Sequence, residues 1–584
     1  TSDDRNFNFD SSTNEYKVSA TDGITTSAGV LNINGVSDSD GNKSIINAQN
    51  NELFTTVSSG STLNVSNVEI KNGNTDGSGG VIYNEGTVNV NNSAFNSNYS
   101  GEWAGAMYNE GTMSVNNSSF NSNNTESIGG AIFNYEDGQL SIKNSVFKNN
   151  ESQDLGGAID NDGTIADITG STFESNSSKY GGAIDNYGTI ADITGSTFES
   201  NSSTYGGAIE NYGSITTISN STFTSNSADT KGGAIENYGT IDNISDSTFT
   251  SNTGRDGGAI YNESTISDIS NTTFQSNNAR GVGGAIFNDD SITNITNSTF
   301  KNNTATNSGG AIYTTKDLTI TSDGGTTTFQ GNTANGNSNA IHMANSSGTI
   351  TFNLENEGVT DMYDAVSGTD GYSVEITGDG TGTMNLYNDL NNANVVAQNA
   401  YINLANGETM DYTFKTLATD DSAKYALDID VLNDTSDKIV TTEDSSGVVY
   451  LDKINTYGIT DENIGDTHGY QVLVTQNNDL QLELADDLMT EHSLQSDTVT
   501  ITEDVTANVN WNDEFGAYDQ TTDYIGYIGL SSTRTTNDTV DVNVTGKVVD
   551  QEWVDKYDTL KAWAEQTTSD DRNFNFDSST NEYK

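Results

Sequence analysis

The chain has 584 residues, neither Pro nor Cys, and 22 basic against 82 acidic residues, which leaves a net charge of −60. That balance argues against nucleic acid and against electrostatic attachment to anionic membranes, both of which need Lys and Arg, and the lack of Cys excludes disulfides and thiolate metal sites. No apolar run approaches the roughly 18 residues of a membrane span, and a chain without Pro suits a fold made almost wholly of central strand, where Pro cannot supply its ladder hydrogen bond.

Residues 1–78 come first and read as irregular β-helix coils, with Leu63-Asn64-Val65 and Val68-Glu69-Ile70 as short strands. The opening Thr1-Ser2-Asp3-Asp4-Arg5 lacks the features of a signal peptide, so the export signal is expected elsewhere.

Residues 79–332 carry the pattern that decides the fold. A Gly-Gly-Ala-Ile-like motif begins at Gly79, Ala104, Gly129, Gly156, Gly181, Gly206, Gly232, Gly257, Gly283 and Gly309, at spacings of 25 to 27 residues. Interleaved with it is Phe-x-x-Asn, whose aromatic residues are Phe95, Phe120, Phe147, Phe173, Phe198, Phe223, Phe249, Phe274, Phe300 and Phe329. Each cycle has three short apolar stations, such as Ala183-Ile184, Ile190 with Ile193, and Phe198. Polar, Gly-punctuated stretches separate them and are too short for helices. Three short strands per cycle describe one turn of a right-handed, single-stranded, three-sided parallel β-helix, an all-β solenoid. Stacked at about 4.8 Å, the turns set like on like and bury what one turn alone cannot. The second glycine of each motif is expected at a corner with positive φ or where backbones pack closely.

After these, residues 333–410 read as further coils, including Ile350 to Leu354 and Tyr401 to Leu404. Longer alternating runs in 411–548, such as Leu427 to Val431 and Leu480 to Leu484, fit either broader coils or a small separate β domain. Residues 549–567 read as a connector or capping helix, with Trp553, Tyr557, Leu560 and Ala564 on one face. Finally, residues 568–584 repeat residues 1–17 letter for letter, TSDDRNFNFDSSTNEYK, and read as the start of a next tandem unit.

Three columns follow from the register. The Phe residues form a core column. Asn84, Asn109, Asn134, Asn161, Asn186, Asn211, Asn237, Asn262 and Asn288 recur at one place and are expected to bond amide to amide as a structural ladder, with Thr314 in the tenth copy. Just before that ladder, Asp160, Asp185, Glu210 and Glu236 occupy one place in four consecutive coils. Like charges about 5 Å apart repel, so this column is expected to be a solvated acidic face with diffuse counter-ions, or else a Ca²⁺ site. No other cofactor is expected. His342, His468 and His492 are scattered, and no nucleophile, zinc or phosphate-loop motif appears.

The pairing of Gly-Gly-Ala-Ile with Phe-x-x-Asn over residues 79–332 resembles the repeat of the chlamydial polymorphic outer-membrane proteins and of related autotransporter passengers. Tyr425 to Val431 and Tyr470 to Leu484 look like the distal passenger region of autotransporters, less specifically. The resemblance implies an exported β-helix at the cell surface, serving as adhesin or stalk. The polar end Asn581-Glu582-Tyr583-Lys584 departs from the membrane barrel that autotransport would use.

The expected function is a non-enzymatic unit of an extracellular or cell-surface fibre, a stiff acidic rod of roughly 100 Å per unit at about 4.8 Å per turn. Its expected partners are identical units end to end, and cell-surface glycans or proteins if it is instead an adhesin. A polysaccharide lyase, which would want a basic cleft, is a remote third reading.

Overall fold

The computed structural model describes residues 7–10, 15–18, 25–26, 29–35, 43–51, 56–459, 467–476, 479–494, 500–503, 524–536, 539–550, 576–577 and 582–583. The architecture is an all-β parallel solenoid, and the described residues contain no helix. The helix expected around Trp553 to Ala564 lies outside the described residues.

One turn shows how the sequence makes the coil. Gly181 takes a left-handed corner (φ +58°), the strand Ile184–Asn186 follows, and a tight turn at Tyr187-Gly188 leads into Thr189–Thr194. Gly195 (φ +59°) turns the chain into Thr197–Glu199, and Ser200 (φ +57°) turns it again into Ser202–Tyr205. Inward positions are buried and outward ones mostly are not, so Ile184, Ile190, Ile193 and Phe198 fill the interior without exposure. The register is strict from turn to turn: Ile184 pairs Ile209, Ile190 pairs Ile215, and Phe198 pairs Phe223, all parallel.

The fourth short strand buries no large apolar residue, which is why hydrophobic patterning does not announce it. Its buried position holds Ser203, Ala228, Ala279, Ala305 or Ala334 in different coils. Small residues there let this side of the coil close against the interior.

Of the two alternatives expected for the second glycine, close backbone packing is the one found, and the positive-φ corner belongs to its neighbour. Positive φ belongs to the first, as at Gly156, Gly181 and Gly206. The second is needed for close approach: a Cβ on Gly182 would collide with the carbonyl oxygen of Gly207 in the next coil. Where the first glycine is replaced, Ala104 holds the same left-handed conformation at φ +58°.

By their contacts the chain forms two units, Thr1–Ala393 and Asn394–Lys584. In the first, Phe7–Asp10 and Glu15–Val18 form an antiparallel hairpin, and Glu15 to Lys17 then run parallel to Ile45 to Asn47. Beyond Asn332 the coils continue, and the phenylalanine column passes from Phe329 to Met362 and Leu386. In the second unit Lys424–Asp430 runs parallel to Ser446–Ile459, and that strand parallel to Leu480–Leu494. Thr467–Thr475, Tyr524–Thr536 and Thr539–Asp550 pair antiparallel instead. Parallel coils and an antiparallel ribbon thus both occur within 411–548.

Candidate functional site

Three inner columns are set by the register. The rings of Phe95, Phe120, Phe147, Phe173, Phe198, Phe223, Phe249, Phe274, Phe300 and Phe329 are fully buried and stacked, with successive centroids 4.7–5.0 Å apart. The coil spacing imposes that distance, and face-to-face stacking is accepted because each ring is held by its own strand.

From Asn84 to Asn288 the side-chain amide of each Asn donates Nδ2–H to the Oδ1 of the next, at 2.6–2.9 Å. Asn288 donates to the Thr314 hydroxyl at 3.2 Å, where the series changes residue. From Asn109 to Asn288 each of these buried amides has a partner on both sides, and at the start Asn84 Oδ1 accepts instead from the Gly86 N–H.

A second amide ladder runs through the Asn of Phe-x-x-Asn, from Asn98 to Asn332, with Nδ2-to-Oδ1 distances of 2.9–3.0 Å. Its members also bind backbone: Asn201 Nδ2 donates to the Phe173 carbonyl, and the Asn176 N–H donates to Asn201 Oδ1. The ladder ends on a carboxylate, Asp364, which accepts from both Asn332 Nδ2 and the Asn332 N–H at 2.8 Å. Sequence reading used these Asn residues only as a marker of period. Their fixed place three residues after a buried Phe was the available signal.

Outside the wall lies a groove, lined by the residue between Ile and Asn in each Ile-x-Asn strand. Its occupants in coil order are Tyr83, Tyr108, Phe133, Asp160, Asp185, Glu210, Glu236, Tyr261, Phe287, Tyr313 and His342. Rings stack at both ends of this file, at 4.5 Å for Tyr83 on Tyr108 and for Tyr261 on Phe287. Four carboxyls fill its middle.

The four carboxyls correct the expectation of a solvated face. Asp160 is 1% exposed, Asp185, Glu210 and Glu236 are 0% exposed, and none of their eight carboxyl oxygens has a partner at full hydrogen-bonding geometry, the Tyr212 and Tyr238 hydroxyls lying only near enough to act weakly on Glu210 and Glu236. Outward-pointing here does not mean wet, and at Asp185, Glu210 and Glu236 the residue two places on is a tyrosine that lies over the groove. Ring and acid exchange places: Tyr108 is followed by Glu110 and Tyr261 by Glu263, but Asp185 by Tyr187, Glu210 by Tyr212 and Glu236 by Tyr238. In the first arrangement the hydroxyls of Tyr108 and Tyr261 donate to Glu110 and Glu263. In the second, Tyr187, Tyr212 and Tyr238 stack at 4.8 and 4.9 Å over the acids.

Burial is the main cause pushing these carboxyls up, and each neighbour's charge adds to it. Asp160 and Asp185 are raised well above the ordinary range, Glu210 is pushed up to about 8 and Glu236 to about 7. The Tyr212 and Tyr238 hydroxyls and the Lys231 ammonium pull Glu210 and Glu236 the other way. Lys231 itself is engaged by Glu263 at 3.0 Å and by the Tyr238 hydroxyl at 2.9 Å. Among the described residues no group of three or more His, Cys, Asp or Glu side chains converges as a metal site would require, since the four acids stand one per coil, in file.

Three segments, residues 220–238, 246–263 and 297–315, match the Chlamydia polymorphic membrane protein repeat. Each spans a Phe of the core column, an Asn of the second ladder and a Gly-Gly-Ala-Ile strand, so the match rests on residues that build the coil. The chain carries polymorphic membrane protein repeats. The alternation of buried Phe, amide ladder and glycine corner is therefore what these repeats contribute physically: one self-stacking turn each. No curated protein matches the chain.

Proposed function

We propose that the chain is a non-enzymatic structural unit of a bacterial cell-surface fibre, an exported acidic solenoid joined head to tail with identical units. The polymorphic membrane protein repeats and the β-solenoid fit a surface adhesin or an autotransporter passenger. The fibre reading is narrower and rests on the duplicated segment. Residues 568–584 repeat residues 1–17, and the two copies form the same hairpin: Phe9 pairs Tyr16 as Phe576 pairs Tyr583, and Asp10 pairs Glu15 as Asp577 pairs Glu582. In the N-terminal copy that hairpin starts a coil, so a copy at residue 568 supplies the beginning of another unit. Electron microscopy of native material tests this. Filaments with an axial repeat of one unit support it; isolated particles of one unit contradict it.

A second reading, an adhesin, is favoured by aromatic side chains held out on the groove: Trp103 is 38%, Tyr187 47% and Tyr212 41% exposed. Such rings on a rigid wall suit contact with cell-surface glycans or proteins. Retention of the chain on a host-cell or neighbouring-cell surface, lost on replacing these three rings, distinguishes it from a bare spacer. A lyase is set aside by the shortage of Lys and Arg, and failure to release unsaturated product from polyuronate is the expected result.

A further inference from the structure

The four buried acids ask for an account that a stalk or an adhesin does not provide. Asp160, Asp185, Glu210 and Glu236 are buried in file without water access and without a well-formed hydrogen bond, the last three beside Tyr187, Tyr212 and Tyr238. An ionised carboxylate left so is among the costliest groups a fold can bury. The arrangement is nevertheless kept over four successive coils, with Ile-Asp-Asn or Ile-Glu-Asn strands in unbroken parallel register.

We propose that this column is a proton-operated fastener: protonated, its four carboxyls hold the outer groove of residues 156–238 closed, and ionised, they open that groove to water. A protonated carboxyl is neutral and gains a donor, so one rung can bond the next. On ionisation each proton leaves to bulk water, and the carboxylate stays behind as an acceptor with a like charge one coil away. Relief then requires water, and at Asp185, Glu210 and Glu236 its entry requires Tyr187, Tyr212 and Tyr238 to swing out.

The groups facing the column act unequally along it. Asp162 adds negative charge beside Asp160 and Asp185, and is itself raised by burial and by Glu136. At the other end Glu263 adds negative charge beside Glu236, and the Lys231 ammonium acts on both Glu210 and Glu236. The tyrosines are neutral over the relevant range, since burial and the acids raise them too. Opening therefore begins at the Glu236–Glu210 end, where the Lys231 ammonium and the Tyr238 and Tyr212 hydroxyls favour the ionised form, and the Asp185–Asp160 end resists longest.

The direction of the pH effect follows from linkage. A carboxyl whose folded pKa lies above its unfolded value binds its proton more tightly in the fold. Its contribution is fully present below the ordinary carboxylate range near pH 4 and is lost as pH rises through the folded values. Folding of these coils is thus firmest in acid and weakens toward pH 8.

The experiment is thermal melting of the full chain from pH 5 to pH 8, with and without 1 mM CaCl₂, beside the variant D160N/D185N/E210Q/E236Q. The expected result is a wild-type Tm lower at pH 8 than at pH 5 by about 5 °C or more, and a variant whose Tm is flatter over that range. Carbon-13 NMR titration of the wild-type carboxyls gives an independent reading should the variant fail to fold: resonances protonated at pH 6 are expected. A wild-type Tm that is flat or rises with pH overturns the proposal. So does a set of carboxyls all ionised by pH 5. Recovery of the pH 8 melting temperature by calcium in the wild type but not in the variant also overturns it, in favour of a cation site.

Discussion

Ile184 and Asn186 face the inside of their coil and meet their own kind above and below, whereas Asp185, between them, faces a groove whose occupants change along the molecule. Inside, from coil to coil, like side chains meet over long runs and the ladder amides bond one another. Outside, a file of rings gives way to four carboxyls without a well-formed hydrogen bond and then returns to rings. The inner columns vary little within the regular array, because a missing methylene or amide leaves a void or an orphaned group between two fixed coils. The groove can vary, because the residue two places on changes with it: Tyr187 covers Asp185, as Tyr108 is answered by Glu110. Stacking demands identity only where nothing nearby can compensate.

The largest effect that would break this contrast lies inside. Phe198→Ala removes one ring from a continuous stack and is expected to cost about 3–5 kcal/mol, read as a lowered urea midpoint. A loss as small as a surface substitution would mean that the column is not continuous. Next comes Asn201→Ala, which orphans the Phe173 carbonyl, the Asn176 amide and one rung of the ladder; about 2–3 kcal/mol is expected by the same measurement. In the groove the sign reverses. Glu210→Gln is expected to raise the melting temperature at pH 8 by a few degrees and leave it nearly unchanged at pH 5, because it removes a charge that the fold resists. The smallest effect concerns the corner: Ala104→Gly relieves a left-handed alanine and is expected to stabilise by about 1 kcal/mol. Destabilisation there would mean that the alanine methyl packs against Tyr108 and Phe133 strongly enough to repay its backbone.

Much of the coil was legible in the residues themselves. Ile184, Ile190, Ile193 and Phe198 repeat at a fixed period, and a fixed period with three apolar stations has few folded solutions. The fourth strand, Ser202–Tyr205, was not legible, because it buries Ser203 and no large apolar side chain. The acid file was visible as a register of like charges, but its burial was not. Alternation assigns position 185 to the outside, and nothing in a period-of-two reading says that an outside face is roofed. The compensating exchange between positions 185 and 187 was present in the letters, and becomes meaningful only once both are seen to share one groove. Likewise the second Asn ladder looked like punctuation until its amides were seen to bond backbone from coil to coil.

The central claim, that equivalent residues lie directly over one another, is tested most directly by cross-linking a chain that has no Cys of its own. Thr172 and Thr197 are register partners on neighbouring coils, at a coil spacing of about 4.8 Å that suits a disulfide. T172C/T197C is expected to close under mild oxidation, while T172C/E199C, displaced two residues along the strand, stays open. Closure of the displaced pair in preference to the aligned one would contradict the account.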